Sequence, residues 1–144
     1  DGVYRGDTAQ SSEGQALVLS RTVGDETVLS VAFRGTENLA KQFPDYFPFD
    51  KHYANFKPLV AAVKAYVADA ANGIDKAVVT GPSLGGAMAQ LFMKEKLKVP
   101  VEGYSFGSPG ADKAPKGARL TNFAHENDVV PGRARRHGRP TATF

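Results

Sequence analysis

A serine between two glycines stands where a strand-like run of residues meets a helix-like run. The segment reads "VVTGPSLGGAMAQL", residues 78–91, and holds Gly81, Ser83 and Gly85 in a G-x-S-x-G pattern. The pattern alone is weak, but on a strained strand-to-helix turn it exposes the serine hydroxyl above a sheet, and the glycines allow close backbone approach. The N–H groups of a helix beginning at Leu84 would stabilise negative charge there. We predict that Ser83 is a nucleophile; the alternative is a serine that caps the helix.

A serine hydroxyl is inert without a base, and the chain has three histidines, His52, His125 and His137. When a nucleophilic serine lies on this kind of turn, the acid and then the histidine follow it along the chain. Only His137 follows both Ser83 and a suitable acid, Asp128. The sequence therefore predicts a triad of Ser83, Asp128 and His137.

The acid comes directly after a strand-like run. Asp128 follows "ARLTNFAH", residues 118–125, so it is expected at the carboxyl edge of a sheet, where such sheets place functional groups. Two alternatives stay open: Asp128 caps a turn together with Asn127, or His137 is a solvated residue of the polar loop "RARRHGR".

Strands and helices alternate along the chain. Two β-rich runs, residues 16–23 and 26–35, flank Gly24 and Asp25, which indicates a hairpin or two neighbouring strands. An amphipathic helix is predicted over residues 58–71. Its apolar face consists of Leu59, Val63, Tyr66, Val67 and Ala70.

The second half of the chain continues the alternation. Strands are predicted over residues 76–81, 101–108 and 118–125, and a helix over 84–97. The residues that this helix is expected to bury are Leu84, Met88, Leu91 and Phe92. Apolar strands that alternate with helices predict an α/β fold with a mostly parallel sheet.

Composition limits the possible classes of protein. The chain has 144 residues, of which 42% are hydrophobic, so we expect one domain over residues 1–144. No apolar stretch is long enough to span a membrane, and the sequence begins without Met or a signal-like segment, so we expect a soluble protein, processed or excised from a longer one. The absence of cysteine excludes disulfides and thiol chemistry but leaves the compartment open.

The positive charge is local. The formal net charge is +3, and residues 133–139 contain four arginines and no acidic residue. A solvated surface loop is the favoured interpretation of this segment, so no nucleic-acid partner is predicted. Two neighbouring pairs, Asp50 with His52 and His125 with Glu126, lack metal-ligand spacing, so no metal and no cofactor are predicted.

Four segments resemble the successive motifs of class 3 (fungal-type) lipases, in the same order: "VAFRGTE", "VTGPSLGGAMAQL", "YSFGSPGA" and "TNFAHENDVVP", within residues 31–131. The resemblance implies an α/β-hydrolase-like fold with flanking helices, in a compact or truncated version. It also implies that Ser83 is the nucleophile, Asp128 is the triad acid, and Thr36 forms the oxyanion hole with the backbone N–H of Leu84.

The sequence departs from the family pattern in two places. Pro82 stands where the family usually has histidine, and because proline lacks an N–H and restricts its own φ, we expect an altered turn. The family's catalytic histidine normally lies further downstream, after another strand, and His137 also matches a non-catalytic histidine that precedes that strand. Either His137 is the base or the base lies outside residues 1–144.

Aromatic residues are dense between the first strands and the first predicted helix. In lipases of this type the corresponding region, here residues 38–56, forms a lid over the active site; the alternative is ordinary core packing. Pro44 and Pro48 predict an irregular segment. The aromatic residues are Phe43, Tyr46, Phe47, Phe49, Tyr53 and Phe56.

Together, the residues and the resemblance predict a serine carboxylic-ester hydrolase that acts on fatty-acyl esters through an acyl-enzyme. The alternatives are a phospholipase or acyltransferase with the same site, or a catalytically inactive lipase-like domain that binds lipid or a partner. The expected partners are a lipid or small ester substrate and, transiently, a lipid interface; oligomeric state stays open. The resemblance implies secretion.

Overall fold

The computed structural model of the chain describes residues 1–6, 14–35, 48–111 and 115–125, and the backbone of residues 141–143. In these ranges, strands form one sheet whose spatial order follows the sequence. The strands are β1 Gly2–Arg5, β2 Gln15–Val23, β3 Glu26–Phe33, β4 Lys76–Pro82, β5 Val101–Phe106, β6 Arg119–Ala124 and β7 Thr141–Thr143. The helices are α1 Phe49–Ala54, α2 Lys57–Ala68 and α3 Leu84–Phe92, with a 3₁₀ turn at Ala70–Asn72.

The sheet is mixed and mostly parallel. β1, β2 and β3 pair antiparallel, whereas β3 to β7 pair parallel. The hairpin between β2 and β3 closes at the pair Val23 and Glu26, around Gly24 with a φ of 62°. Gly24 therefore adopts the left-handed conformation that glycine permits at a tight turn. Both the predicted hairpin and the predicted mostly parallel α/β sheet are confirmed.

The described helices pack against one face of the sheet. Because each parallel strand lies next to its predecessor, right-handed crossovers place α2 and α3 on the same side. On that side the Phe33 ring of β3 lies 4.8 Å from the ring of Phe56 and 6.0 Å from that of Phe92. The core of the described residues therefore lies between the sheet and these helices.

The buried stripe of α2 shares Leu59, Val63 and Val67 with the predicted face and includes Val60 in place of Tyr66. Tyr66, predicted to be buried, is 43% exposed. The stripe centres on Val63, and Tyr66 lies at its edge. The residues of α2 that are buried are Leu59, Val60, Val63 and Val67.

The helix also ends earlier than the sequence predicted. α2 stops at Ala68, and the Asp69 carboxylate accepts a hydrogen bond from the Ala71 N–H, 2.9 Å away. Gly73 then reverses the chain with a φ of 59°. Ala70, predicted on the buried face of the helix, is therefore exposed in the 3₁₀ turn.

The helix that follows the serine is shorter and more deeply buried than predicted. α3 ends at Phe92 instead of residue 97, and every residue within it is buried. Tight turns follow, in which the N–H groups of Lys94 and Glu95 donate to the carbonyl oxygens of Leu91 and Phe92. A helix that is apolar except for the hydrogen-bonded Gln90 belongs in a core, whereas the alternating lysines of residues 94–98 require solvent.

Three short elements, β1, α1 and β7, were not predicted from the sequence. β1 pairs with β2, and the Tyr4 hydroxyl donates to the carbonyl oxygen of Asn55, 2.7 Å away. α1 lies in the aromatic segment, and its residues Phe49 and Tyr53 pack against the core. Phe56, which follows α1, is only 1% exposed. The described end of the predicted lid segment, residues 48–56, is therefore packed against the core. Residues 38–47 lie outside the described residues.

Candidate active site

Ser83 occupies a strained turn between β4 and α3. Its backbone has φ 53° and ψ −122°, which makes it the one non-glycine residue with positive φ in the part of the chain that the structure describes. Such a conformation costs about 1–3 kcal/mol and persists only where its surroundings hold it. The Ser83 N–H donates a 2.7 Å hydrogen bond to the carbonyl oxygen of Phe106, which ties the turn to the end of β5.

The side chain of Ser83 does not cap the helix that follows. Ser83 stands at the N-cap position of α3, yet its side chain makes no capping hydrogen bond. Its Oγ is buried and has no hydrogen-bond partner among the described residues. A buried hydroxyl without a partner is costly, so Ser83 differs from the capping serine that was the alternative interpretation.

The glycines of the turn permit backbone contacts that any side chain would block. A Cβ atom added to Gly81 would overlap the backbone of Gly85, and one added to Gly85 would overlap the carbonyl oxygen of Phe33. The carbonyl oxygen of Arg34 would lie 2.8 Å from that second Cβ. The end of β3 therefore lies directly against the first turn of α3.

We expect the substitution Gly85→Ala to lower the free energy of unfolding by about 2–3 kcal/mol. The added methyl group meets two backbone carbonyls that cannot rotate away, and overpacking of this kind outweighs the better helix propensity of alanine. Urea unfolding measures the change. Gly2→Ala is the matched control, because a Cβ there meets nothing within 4 Å. Equal midpoints for the two variants would contradict the close approach.

Pro82 lies at the end of β4 and is exposed. It pairs with Phe106 of β5, and the strained backbone of Ser83 follows it directly. The carbonyl oxygen of Pro82 would lie 2.9 Å from a Cβ at Gly35, so the chain that leaves β3 passes close to the turn. Proline before the serine is thus compatible with a strand–turn–helix element, although we expected it to alter the turn.

The structure places two of the predicted site residues, Ser83 and Leu84. Leu84 is the first residue of α3 and is buried. Thr36, Asp128 and His137 lie outside the described residues.

Described residues stand close in the chain to each of these three positions. Gly35, directly before Thr36, lies against the turn. β6 ends at Ala124, four residues before Asp128. Thr141, four residues after His137, begins β7 and pairs with Asn122 of β6.

A buried polar cluster next to the turn was missed by the sequence analysis. It consists of Gln90 of α3, Ser105 of β5 and Asn122 of β6, which are 2%, 0% and 5% exposed. The Gln90 Nε2 donates to the Asn122 Oδ1 over 2.9 Å, and the Ser105 Oγ donates to the same oxygen over 2.5 Å. The sequence contains one signal of this cluster: each of its residues is a polar residue within an apolar run, in "AMAQLF", "YSF" and "LTNF".

Aromatic rings cover the other face of β5 and β6. The rings of Phe106 and Phe123 stack with centroids 5.0 Å apart and an interplanar angle of 11°, and Tyr104 stacks on Phe123 at 6.4 Å. Phe106, whose carbonyl oxygen binds the Ser83 N–H, is 48% exposed. An apolar surface therefore lies beside the turn.

Within residues 1–6, 14–35, 48–111 and 115–125, no three side chains of the metal-binding types cluster at a common point. None of the helices that the structure describes has the length and apolar character needed to cross a membrane.

Comparison with known proteins identifies the fold. No protein-family model and no curated protein sequence matches the chain. A fungal lipase in complex with an inhibitor, from a study of interfacial activation, superposes with a TM-score of 0.66 at 20% identity, covering 91% of this chain and 58% of the lipase. The lipase from Rhizopus microsporus var. chinensis superposes with a TM-score of 0.65 at 19% identity, covering 99% of this chain and 60% of the lipase.

These superpositions confirm the predicted α/β fold: a mostly parallel sheet with helices packed against it, of the α/β-hydrolase type. More narrowly, the fold is that of fungal lipases, as the motifs indicated. The chain spans about 60% of the length of the lipases it matches.

Proposed function

We propose that this protein is a serine carboxylic-ester hydrolase. The observation that carries the proposal is the state of Ser83: a strained backbone at the start of α3 and a buried Oγ without a hydrogen-bond partner among the described residues. Strain and an unsatisfied polar atom reduce stability, and proteins retain both where function requires them. The Ser83 Oγ attacks the ester carbonyl carbon, the alcohol leaves, and water hydrolyses the resulting acyl-enzyme.

The proton transfers are assigned to a histidine and an acid. His137 accepts the proton of the Ser83 hydroxyl during attack and donates it to the departing alkoxide, and Asp128 orients the imidazole. The position of β6 supports this assignment. Its last residue, Ala124, lies at the same edge of the parallel sheet as the end of β4, and Asp128 follows four residues later.

The oxyanion of the tetrahedral intermediate is assigned to the backbone N–H of Leu84 and to Thr36. The Leu84 N–H belongs to the first turn of α3, whose dipole favours negative charge. Thr36 follows Gly35, which lies against the carbonyl of Pro82. One such donor lowers a reaction barrier by about 2.7–4 kcal/mol.

The proposed substrate is a fatty-acyl ester, met in part at a lipid interface. Two observations support an apolar acyl group. The fold is that of fungal lipases. The side chain of Phe106 is exposed, and the backbone carbonyl of the same residue accepts the hydrogen bond from the Ser83 N–H. In this proposal the protein is soluble, secreted and free of cofactors. A phospholipase would use the same acyl-enzyme, and the products formed from phospholipid and triacylglycerol would tell the two apart.

A fluorophosphonate probe tests the proposal directly, because only an activated serine displaces fluoride from phosphorus. We expect one probe per chain, attached to Ser83 as located by peptide mass spectrometry. The matched control is Ser20→Ala in β2, which should label like the unchanged chain. Absence of labelling, or labelling at another serine, would remove Ser83 as nucleophile and favour a lipid- or partner-binding domain.

A further inference from the structure

The side chain of Gln90 joins the helix that carries the nucleophile to three other parts of the fold. Its Nε2 donates to the Asn122 Oδ1 of β6 over 2.9 Å and to the Ser105 Oγ of β5 over 3.4 Å. Its Oε1 accepts from the Ala111 N–H over 2.9 Å, in the segment that follows β5. One amide group therefore contacts β5, the segment after it, and β6.

The hydrogen bonds among the side chains of Gln90, Ser105 and Asn122 are buried, and the one from the Ala111 N–H is partly buried. Gln90 is 2% exposed, Ser105 0% and Asn122 5%. In such surroundings an unpaired donor or acceptor is expensive, and a hydrogen-bonded network holds its members in one arrangement. The apolar neighbours Ala89 and Leu91 pack without directional preference, whereas the hydrogen bonds of Gln90 depend on direction as well as distance.

The contacts of Gln90 connect it to elements that adjoin the Ser83 turn and precede Asp128 in the chain. Gln90 lies seven residues, about 10.5 Å along the helix axis, after Ser83. Ser105 directly precedes Phe106, whose carbonyl oxygen holds the Ser83 N–H at 2.7 Å. Asn122 lies two residues before the end of β6, the strand that leads to Asp128.

We propose that Gln90 is a positioning residue for the reaction. It holds α3, which begins directly after Ser83, in one position against β5 and β6, and it does so without touching substrate. This inference rests on the proposed ester hydrolysis. A displacement of about 1 Å of a reacting group lowers a rate by about 100-fold, so the loss of this anchor should affect turnover more than binding.

The variant Gln90→Met tests the inference, because methionine keeps the length of the side chain and removes its hydrogen bonds. We expect kcat for a p-nitrophenyl ester to fall by about 10–100-fold, KM to change by less than about threefold, and fluorophosphonate labelling to slow in parallel with kcat. Val63→Ala is the matched control, since it destabilises the core through α2, away from the turn. It should lower the unfolding midpoint and leave kcat unchanged at a temperature where both variants are folded.

The triple variant Gln90→Met with Ser105→Ala and Asn122→Leu separates positioning from stability. It removes all three polar side chains of the cluster, so none of them is left without its partner, and the unfolding midpoint should recover relative to Gln90→Met alone. We expect kcat to stay low despite this recovery. If Gln90→Met alone fails to fold, the kcat of this variant tests the positioning role instead.

Each outcome decides one question. A folded Gln90→Met chain, or a triple variant, with the kcat of the unchanged protein would overturn the positioning role and leave Gln90 as a structural residue. A kcat that recovers together with stability would overturn it as well. If the unchanged protein neither hydrolyses the ester nor reacts with the fluorophosphonate, the proposed function itself fails, and the inference about Gln90 fails with it.

Discussion

Replacing Ser83 with alanine lowers the turnover of a p-nitrophenyl ester by about 10⁶-fold, the scale of effect seen when a triad loses its nucleophile. The residual rate would come from binding and from the oxyanion donors alone. Ester hydrolysis followed by absorbance measures the effect. Hydrolysis that persists at the rate of the unchanged protein would contradict the role of Ser83.

The same substitution should leave the fold intact. The Ser83 Oγ is buried and has no hydrogen-bond partner among the described residues, so its removal breaks no hydrogen bond and relieves the cost of a desolvated hydroxyl. We therefore expect the free energy of unfolding to stay equal or to rise by about 1 kcal/mol. Urea unfolding checks this. A large loss of stability would mean that the serine serves the fold.

Replacing His137 with alanine should lower turnover by about 10⁴–10⁶-fold, because the Ser83 hydroxyl would lose its base. Ester hydrolysis followed by absorbance measures the effect.

His125→Ala is the matched control for this experiment. His125 follows β6 directly and is exposed, and the proposal gives it no role. We expect His125→Ala to keep the turnover of the unchanged protein. Equal rates for the two histidine variants would remove His137 as the base. Adding imidazole to His137→Ala should restore part of the lost activity if only the base is missing.

Most of the secondary structure could be predicted because its signals are local. The residues around Gly24 determined the hairpin, since only a tight turn separates two β-rich runs. Strands β4, β5 and β6 and helix α2 follow from apolar periodicity. The short elements β1, α1 and β7 could not be predicted, because three to six residues give no periodic signal and form only through tertiary pairing and packing.

In the candidate site, too, some features follow from the local sequence and others only from the tertiary structure. The pattern around Ser83 determined a strand, a turn and a helix in that order, because small residues and β-branched residues act on their own backbone. Only the tertiary structure decided that Ser83 is strained, that its hydroxyl is buried without a described partner, and that Gln90 meets Ser105 and Asn122. These contacts join residues 15 and 32 positions apart in the chain, a relation that no local pattern encodes.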